Sequence, residues 1–166
     1  MKHFRQLASL SFVALGLLTQ AGLASAQQLT EAQGRAIVAP FYDALNQPAK
    51  KDVPSLLASA TTDAYVSCGN NETCNPRDRV AGTFAFFGKA VPDLKWEIKE
   101  LLVSGNRVIV RGEATGTPAG ELFGVPHSGR SFKTMSIDIH TVEGGKIARS
   151  YHVEDWSSVI RQLRGQ

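Results

Sequence analysis

The chain has 166 residues, 43% of them apolar and 20% charged, with 18 Lys+Arg against 15 Asp+Glu. That is enough apolar material for one domain with its own core, and it excludes a disordered or coiled-coil chain. Lys2 and Arg5 supply two of the positive charges, so the chain after residue 26 holds 16 basic and 15 acidic side chains. A balance so close to zero removes the electrostatic footprint of a nucleic-acid binder.

Met1 to Arg5 is a short basic start, Leu7 to Leu23 is mostly apolar, and Ala24-Ser25-Ala26 has the small-x-small pattern of a signal-peptidase site. The pattern predicts a secretory signal over residues 1–26, cleaved after Ala26, and an exported domain over 27–166, in the periplasm or outside the cell. Ser9, Ser11, Thr19 and Gln20 interrupt the apolar stretch, against a membrane anchor, and no membrane association is expected after cleavage. Export makes Cys68 and Cys74, which flank a polar turn, an expected disulfide. Closing so short a loop is worth about 2 kcal/mol by chain entropy.

Along the exported part, Thr30-Glu31 opens a helical stretch with Ile37, Phe41, Ala44 and Leu45 on one face. Pro40 within it predicts a kink or a late start. Val53 to Ala60 reads as a short helix and Asp63 to Ser67 as a brief strand. Asn75-Pro76-Arg77-Asp78 reads as a helix start with Asn75 as cap, and Val80, Phe84 and Phe87 form that helix's buried stripe. The period then changes. Trp96 to Val103 and Arg107 to Thr115 flank Gly105-Asn106, and Ser131 to Val142 and Ile147 to Val153 flank Gly144-Gly145, giving two hairpins. Trp156, Val159, Ile160 and Leu163 mark a last amphipathic helix. Helices followed by antiparallel strands predict an α+β domain with helices on one face of a curved sheet.

Pairing Glu143 with Lys146 sets the second hairpin's register. It opposes Asp138 to Tyr151, His140 to Arg149 and Thr134 to Asp155, and gathers these polar residues on one face. Met135, Ile137, Ile139, Ser150 and His152 fall on the other. The polar face either meets water or lines a pocket whose aliphatic reverse side is covered by a partner subunit. In this register Asp138 and Asp155 stand roughly 13 Å apart, too far for a carboxylate dyad. The first hairpin opposes Arg111 to Glu100, a cross-strand ion pair. Glycines 112, 116, 120 and 124 form no nucleotide-binding motif, no GxSxG elbow is present, and His127, His140 and His152 lack close metal-ligand spacing. The chemistry left is general acid–base catalysis by a carboxylate in an apolar pocket.

Ala90-Val91-Pro92-Asp93-Leu94, Asn106 to Arg111, Gly116-Thr117, Phe123-Gly124-Val125-Pro126, Ser128-Gly129-Arg130, Gly145-Lys146-Ile147, Asp155-Trp156 and Arg161-Gln162-Leu163 follow one another in a specific order. This run resembles the SnoaL-like polyketide cyclases of the nuclear-transport-factor-2-like superfamily. The resemblance implies a cone: a curved antiparallel sheet around helices, with a cavity at the open end. It implies ring closure by intramolecular aldol condensation with neither metal nor cofactor, and it puts the acid/base aspartate at Asp155. On this basis Asp138, which matches a pocket histidine of the group, lines the pocket with Tyr151, Trp96 and His140. Arg111 is the one arginine placed to join such a pocket. The expected activity is cyclase- or isomerase-type chemistry on a hydrophobic, oxygenated small molecule, by a homodimer. The alternatives are a binding protein that uses the same cavity without catalysis, and a structural dimer module whose cavity is plugged by Phe84, Phe86 and Trp96.

Overall fold

The computed structural model describes residues 28–166, so the predicted signal segment lies outside the described residues. Two helices come first, α1 (Glu31–Leu45) and α2 (Val53–Ala60), joined by a 3-10 turn at Pro48–Lys50. Strands β1 (Thr61–Cys68) and β2 (Cys74–Pro76) precede α3 (Arg77–Ala90). Strands β3 (Lys95–Ser104), β4 (Arg107–Gly116), β5 (Phe132–Glu143) and β6 (Lys146–Glu154) and helix α4 (Trp156–Arg164) follow. The six strands form one sheet in the order β2-β1-β6-β5-β4-β3. Only the β1–β6 pair is parallel.

Local chemistry accounts for the helix starts. Thr30 and Gln33 form a reciprocal capping box at α1, and Asp52 accepts the Ser55 N–H at α2. Pro40 does not delay α1, which runs unbroken through it. Its ring removes one backbone bond on a side where Ala36 and Ala39 are exposed, so water can serve the freed carbonyl. Asn75 is not the cap of α3: it pairs with Ser67 in the β1–β2 ladder, and Pro76 occupies the cap position. The same ladder places Cys68 opposite Cys74, and the disulfide between them is formed.

The first hairpin has the predicted register near its turn, with Ser104 opposite Arg107 and Glu100 opposite Arg111. The second departs from it. Glu143 pairs with Lys146 and Val142 with Ile147, but a bulge then skips Ala148, so that Thr141 pairs with Arg149, His140 with Ser150 and Asp138 with His152. One extra residue moves every following β6 side chain to the opposite face. Ser150, His152 and Glu154 therefore join Asp138 and His140 inside, whereas Tyr151 and Val153 join Met135 and Ile139 outside.

The core lies between the helices and the concave face. Val38, Phe41, Tyr42 and Leu45 of α1 pack with Val80 and Phe84 of α3 against Trp96, Leu101, Val108 and Val110. Trp96 can lie across the sheet because Gly112 has no side chain: a Cβ there would stand 2.7 Å from the indole Nε1 and 2.6 Å from Ser136 Oγ. We expect Gly112→Ala to cost about 1–3 kcal/mol through overpacking, read as a lower midpoint in chemical unfolding, with altered Trp96 fluorescence.

Candidate functional site

Between α1, α3, the start of α4 and the concave face lies a small hollow of about 60 Å³ that opens to solvent. Its walls are largely apolar: Phe41, Val80, Phe84, Phe87, Trp96 and Trp156 are the principal contributors. Phe87 and Trp156 stack nearly parallel at 5.3 Å between ring centroids, with Phe123 edge-on to both. Into this wall β6 projects two ionisable side chains, His152 and Glu154, whose Nε2 and Oε2 atoms are 3.2 Å apart.

Behind them Asp138 is buried, 1% exposed. Its Oδ1 is 2.6 Å from His152 Nδ1 and its Oδ2 accepts the Tyr42 hydroxyl at 2.9 Å. Burial alone would raise the Asp138 pKa. The adjacent His152 charge and hydrogen bond, with His140 and Tyr42 behind them, outweigh it and hold the carboxyl below its ordinary value. For His152, burial disfavours the cation, but Asp138 and then Glu154 outweigh it and raise its pKa, so the ring is an imidazolium at neutral pH. His140, fully buried, is pushed down to about 4 by desolvation, against the pull of Asp138, and is neutral. Desolvation also raises Tyr42 well above the usual phenol value, with the Asp138 charge adding to it.

The sequence-predicted residues divide. Asp138 and His140 lie on the inner face, and Trp96 is a wall of the hollow. Tyr151 does not line it: the β6 bulge turns the phenol to the outer face, opposite Ile139. Arg111 is not in the pocket either, because it sits on the outer side of β4 and binds Glu100 at 3.0 Å. Asp155 is a further correction. It is exposed and caps α4, where its Oδ1 accepts the Ser158 N–H at 2.9 Å and the Ser157 hydroxyl at 2.8 Å. Those bonds, the backbone one first, lower its pKa, opposite to what a general acid near neutrality needs. Of the predicted aromatic plug, Phe84 and Trp96 are walls of the hollow, whereas Phe86 is 55% exposed and does not line it.

His152, Glu154 and Tyr42 are the site residues missed by the sequence reading. His152 and Glu154 were assignable only from the bulge, and Tyr42 stands 96 residues from the carboxylate it serves. Among the described residues no three His, Cys, Asp or Glu side chains are arranged to hold a metal ion, and no helix is long and apolar enough to cross a membrane.

These buried charges give stability a signed pH dependence. Below pH 6.5 the unfolded chain protonates His140 while the fold resists until about pH 4, so stability falls across that window on acidification. Asp138 adds a loss at lower pH, as its depressed folded pKa is crossed. His152 acts on the other side: its contribution is complete below pH 6.5 and is lost as pH rises through its elevated folded value. Thermal unfolding against pH should therefore show a maximum near pH 6.5, and His140→Asn should flatten the slope between pH 6.5 and 4.

Residues 36–163 match the family model for SnoaL-like polyketide cyclase. Among curated proteins none matches this chain. Solved structures that resemble it include TsrD from Streptomyces laurentii, 25% identical over 84% of this chain and 100% of that one, with a TM-score of 0.71. IdmH from Streptomyces antibioticus is 25% identical over 80% of this chain and 99% of its own, with a TM-score of 0.69. A SnoaL-like polyketide cyclase from Agrobacterium tumefaciens shares the fold at 22% identity, a TM-score of 0.63, and coverage of 78% and 97%. With a curved six-stranded sheet around helices, a hollow on its concave side and a family match over most of its length, the chain belongs to the SnoaL-like polyketide cyclase family.

Proposed function

We propose that this protein is an exported small-molecule enzyme that performs cyclase- or isomerase-type chemistry on a hydrophobic, oxygenated substrate without a cofactor. Its acid–base pair is His152 and Glu154, held in place by Asp138. The observation that carries this reading is an imidazolium–carboxylate pair set in an otherwise apolar hollow. Family membership supports the cyclase type. The Met1–Ala26 pattern and a formed Cys68–Cys74 bridge support export.

In the proposed reaction the aromatic walls bind the carbon skeleton of a polycarbonyl substrate. The Glu154 carboxylate removes a proton from a carbon next to a carbonyl, and His152 Nε2–H hydrogen-bonds the carbonyl oxygen on which the negative charge collects. The enolate carbon attacks a second carbonyl of the same molecule, which forms the ring bond, and the Glu154 carboxyl returns its proton to the new alkoxide. Atoms and charge balance, and the product is an isomer of the substrate. Low polarity around the pair strengthens each of these interactions. Asp138 does not reach the substrate, because both of its oxygens are occupied; it orients His152 and keeps it charged.

The second reading, a binding protein on the same scaffold, is favoured by one observation: His152 Nδ1 and Nε2 both have carboxylate partners at rest, so the pair is already satisfied. Mass spectrometry of a ligand co-purifying with the protein supplies the compound for the test. As an enzyme, His152→Gln should lower kcat by about 10²–10⁴-fold while changing ligand affinity little. Asp155→Asn, which keeps a good helix cap, should leave turnover near wild type. A wild-type protein that binds the ligand and never converts it would establish the binder instead.

We also propose that a second copy covers the outer face of β5 and β6, where Met135, Tyr151 and Val153 are 52%, 38% and 58% exposed beside Ile139. Light scattering at micromolar concentration should give twice the chain mass, and Ile139→Glu with Val153→Glu should give the monomer. A monomeric wild type would remove this part of the proposal.

A further inference from the structure

Asp138 is one end of a longer buried chain. Tyr42 Oη is 2.9 Å from Asp138 Oδ2 and 3.0 Å from His140 Nε2; His140 Nδ1 is 2.7 Å from Ser150 Oγ, which is 3.0 Å from Tyr65 Oη. The groups come from four elements, α1, β1, β5 and β6, and Tyr42, Tyr65, His140 and Ser150 are all buried.

Proton counting fixes the direction of this chain. An ionised carboxylate only accepts, so the single Tyr42 proton points at Asp138. The phenol oxygen must then accept from His140, which places that ring's hydrogen on Nε2. A neutral imidazole has one N–H, so Nδ1 is bare and accepts from Ser150, whose oxygen in turn accepts from Tyr65. Every donor points towards Asp138. The reverse order would need Asp138 to carry a proton and donate it to Tyr42, with His140 protonated on Nδ1.

We infer that Tyr42, His140, Ser150 and Tyr65 are positioning residues for the acid–base pair, forming a one-way hydrogen-bond chain that keeps Asp138 ionised and makes the His140 tautomer a reporter of its charge. This rests on the reading of His152 as the group that meets substrate. The groups facing Asp138 are His152 on β6, with Glu154 beyond it; Tyr42 on α1; Tyr65 on β1; and His140 on β5 itself. On β4 the residue opposite is Val110, which adds no charge. Desolvation of His140 agrees with the neutral ring that the count requires. Buried polar groups need partners in any fold, but a merely structural network has no reason to bias a carboxylate several bonds away.

The test is nuclear magnetic resonance on the protein labelled with ¹⁵N-histidine and ¹³C-aspartate. At pH 7 His140 should give the signals of a neutral ring protonated on Nε2, and His152 those of an imidazolium. Tyr42→Phe should raise the Asp138 carboxyl midpoint about tenfold in proton affinity, and move the acid limb of kcat/KM upward by the same amount. Ser150→Ala, a smaller perturbation should Tyr42→Phe fail to fold, should shift the midpoint in the same direction and give mixed His140 tautomers. A His140 protonated on Nδ1 or doubly protonated at pH 7, or an Asp138 midpoint unmoved in whichever variants fold, overturns the inference. The spectra need no substrate. If they come out as expected while His152→Gln turns over normally, the chain stands and the catalytic reading falls; loss of turnover in His152→Gln with an unmoved Asp138 gives the converse.

Discussion

A carboxylate that is 1% exposed is expensive to keep charged, and the interior of this protein is arranged around doing so. Asp138 is the point where α1, β5 and β6 meet chemically: Tyr42 reaches it from the helix and His152 from the neighbouring strand. Removing either donor would leave a buried anion short of a partner, a far larger penalty than the net worth of an exposed hydrogen bond. The sheet's inverted polarity follows from the same constraint. Thr134, Ser136, Asp138 and His140 face inward on β5 while Met135, Ile137 and Ile139 face outward, the reverse of an ordinary half-buried strand. A concave surface that carries polar groups under a greasy roof suits a ligand with both apolar and oxygenated parts.

The architecture was legible because it depends on local signals. Periodicity and glycine turns placed the helices and both hairpins, and the spacing of Cys68 and Cys74, in a chain read as exported, indicated their bridge. The site was legible only in part, because it depends on strand parity. Ile147 and Ser150 are both fully buried although three residues apart, which a regular strand cannot achieve. The bulge at Ala148 reconciles them, and nothing in the turn Glu143–Lys146 announces it. Counting outward from that turn put Tyr151 inside and His152 outside, and each is on the other face.

Asp155 shows a different kind of ambiguity. An aspartate directly before an amphipathic helix, with serines two and three residues on, is as plainly an N-cap as it is an acid/base candidate. The structure uses it as a cap: its oxygen is committed to Ser157 and Ser158, and it is open to water. The neighbouring residue, Glu154, points the opposite way by strand alternation and enters the hollow. Two adjacent carboxylates thus stand in different surroundings, and the resemblance to the cyclases, carried by position along the chain, has no knowledge of which of them faces the hollow.

His152 then determines what chemistry the hollow can support. A solvent-exposed imidazole near pH 6.5 would be mostly neutral at pH 7 and could serve as a base; between Asp138 and Glu154 it is a cation and can only donate. In the proposed reaction the proton-accepting role therefore falls to Glu154, which is the one carboxylate lining the hollow. The division of labour is therefore a consequence of where β6 bulges. Restore a regular ladder, and His152 and Glu154 would both lie on the outer face beside Met135. Asp138 would then lose the neighbouring cation that does most to offset its burial. A single extra residue in one strand thereby links the stability of the core to the charge state of the pair that lines the hollow.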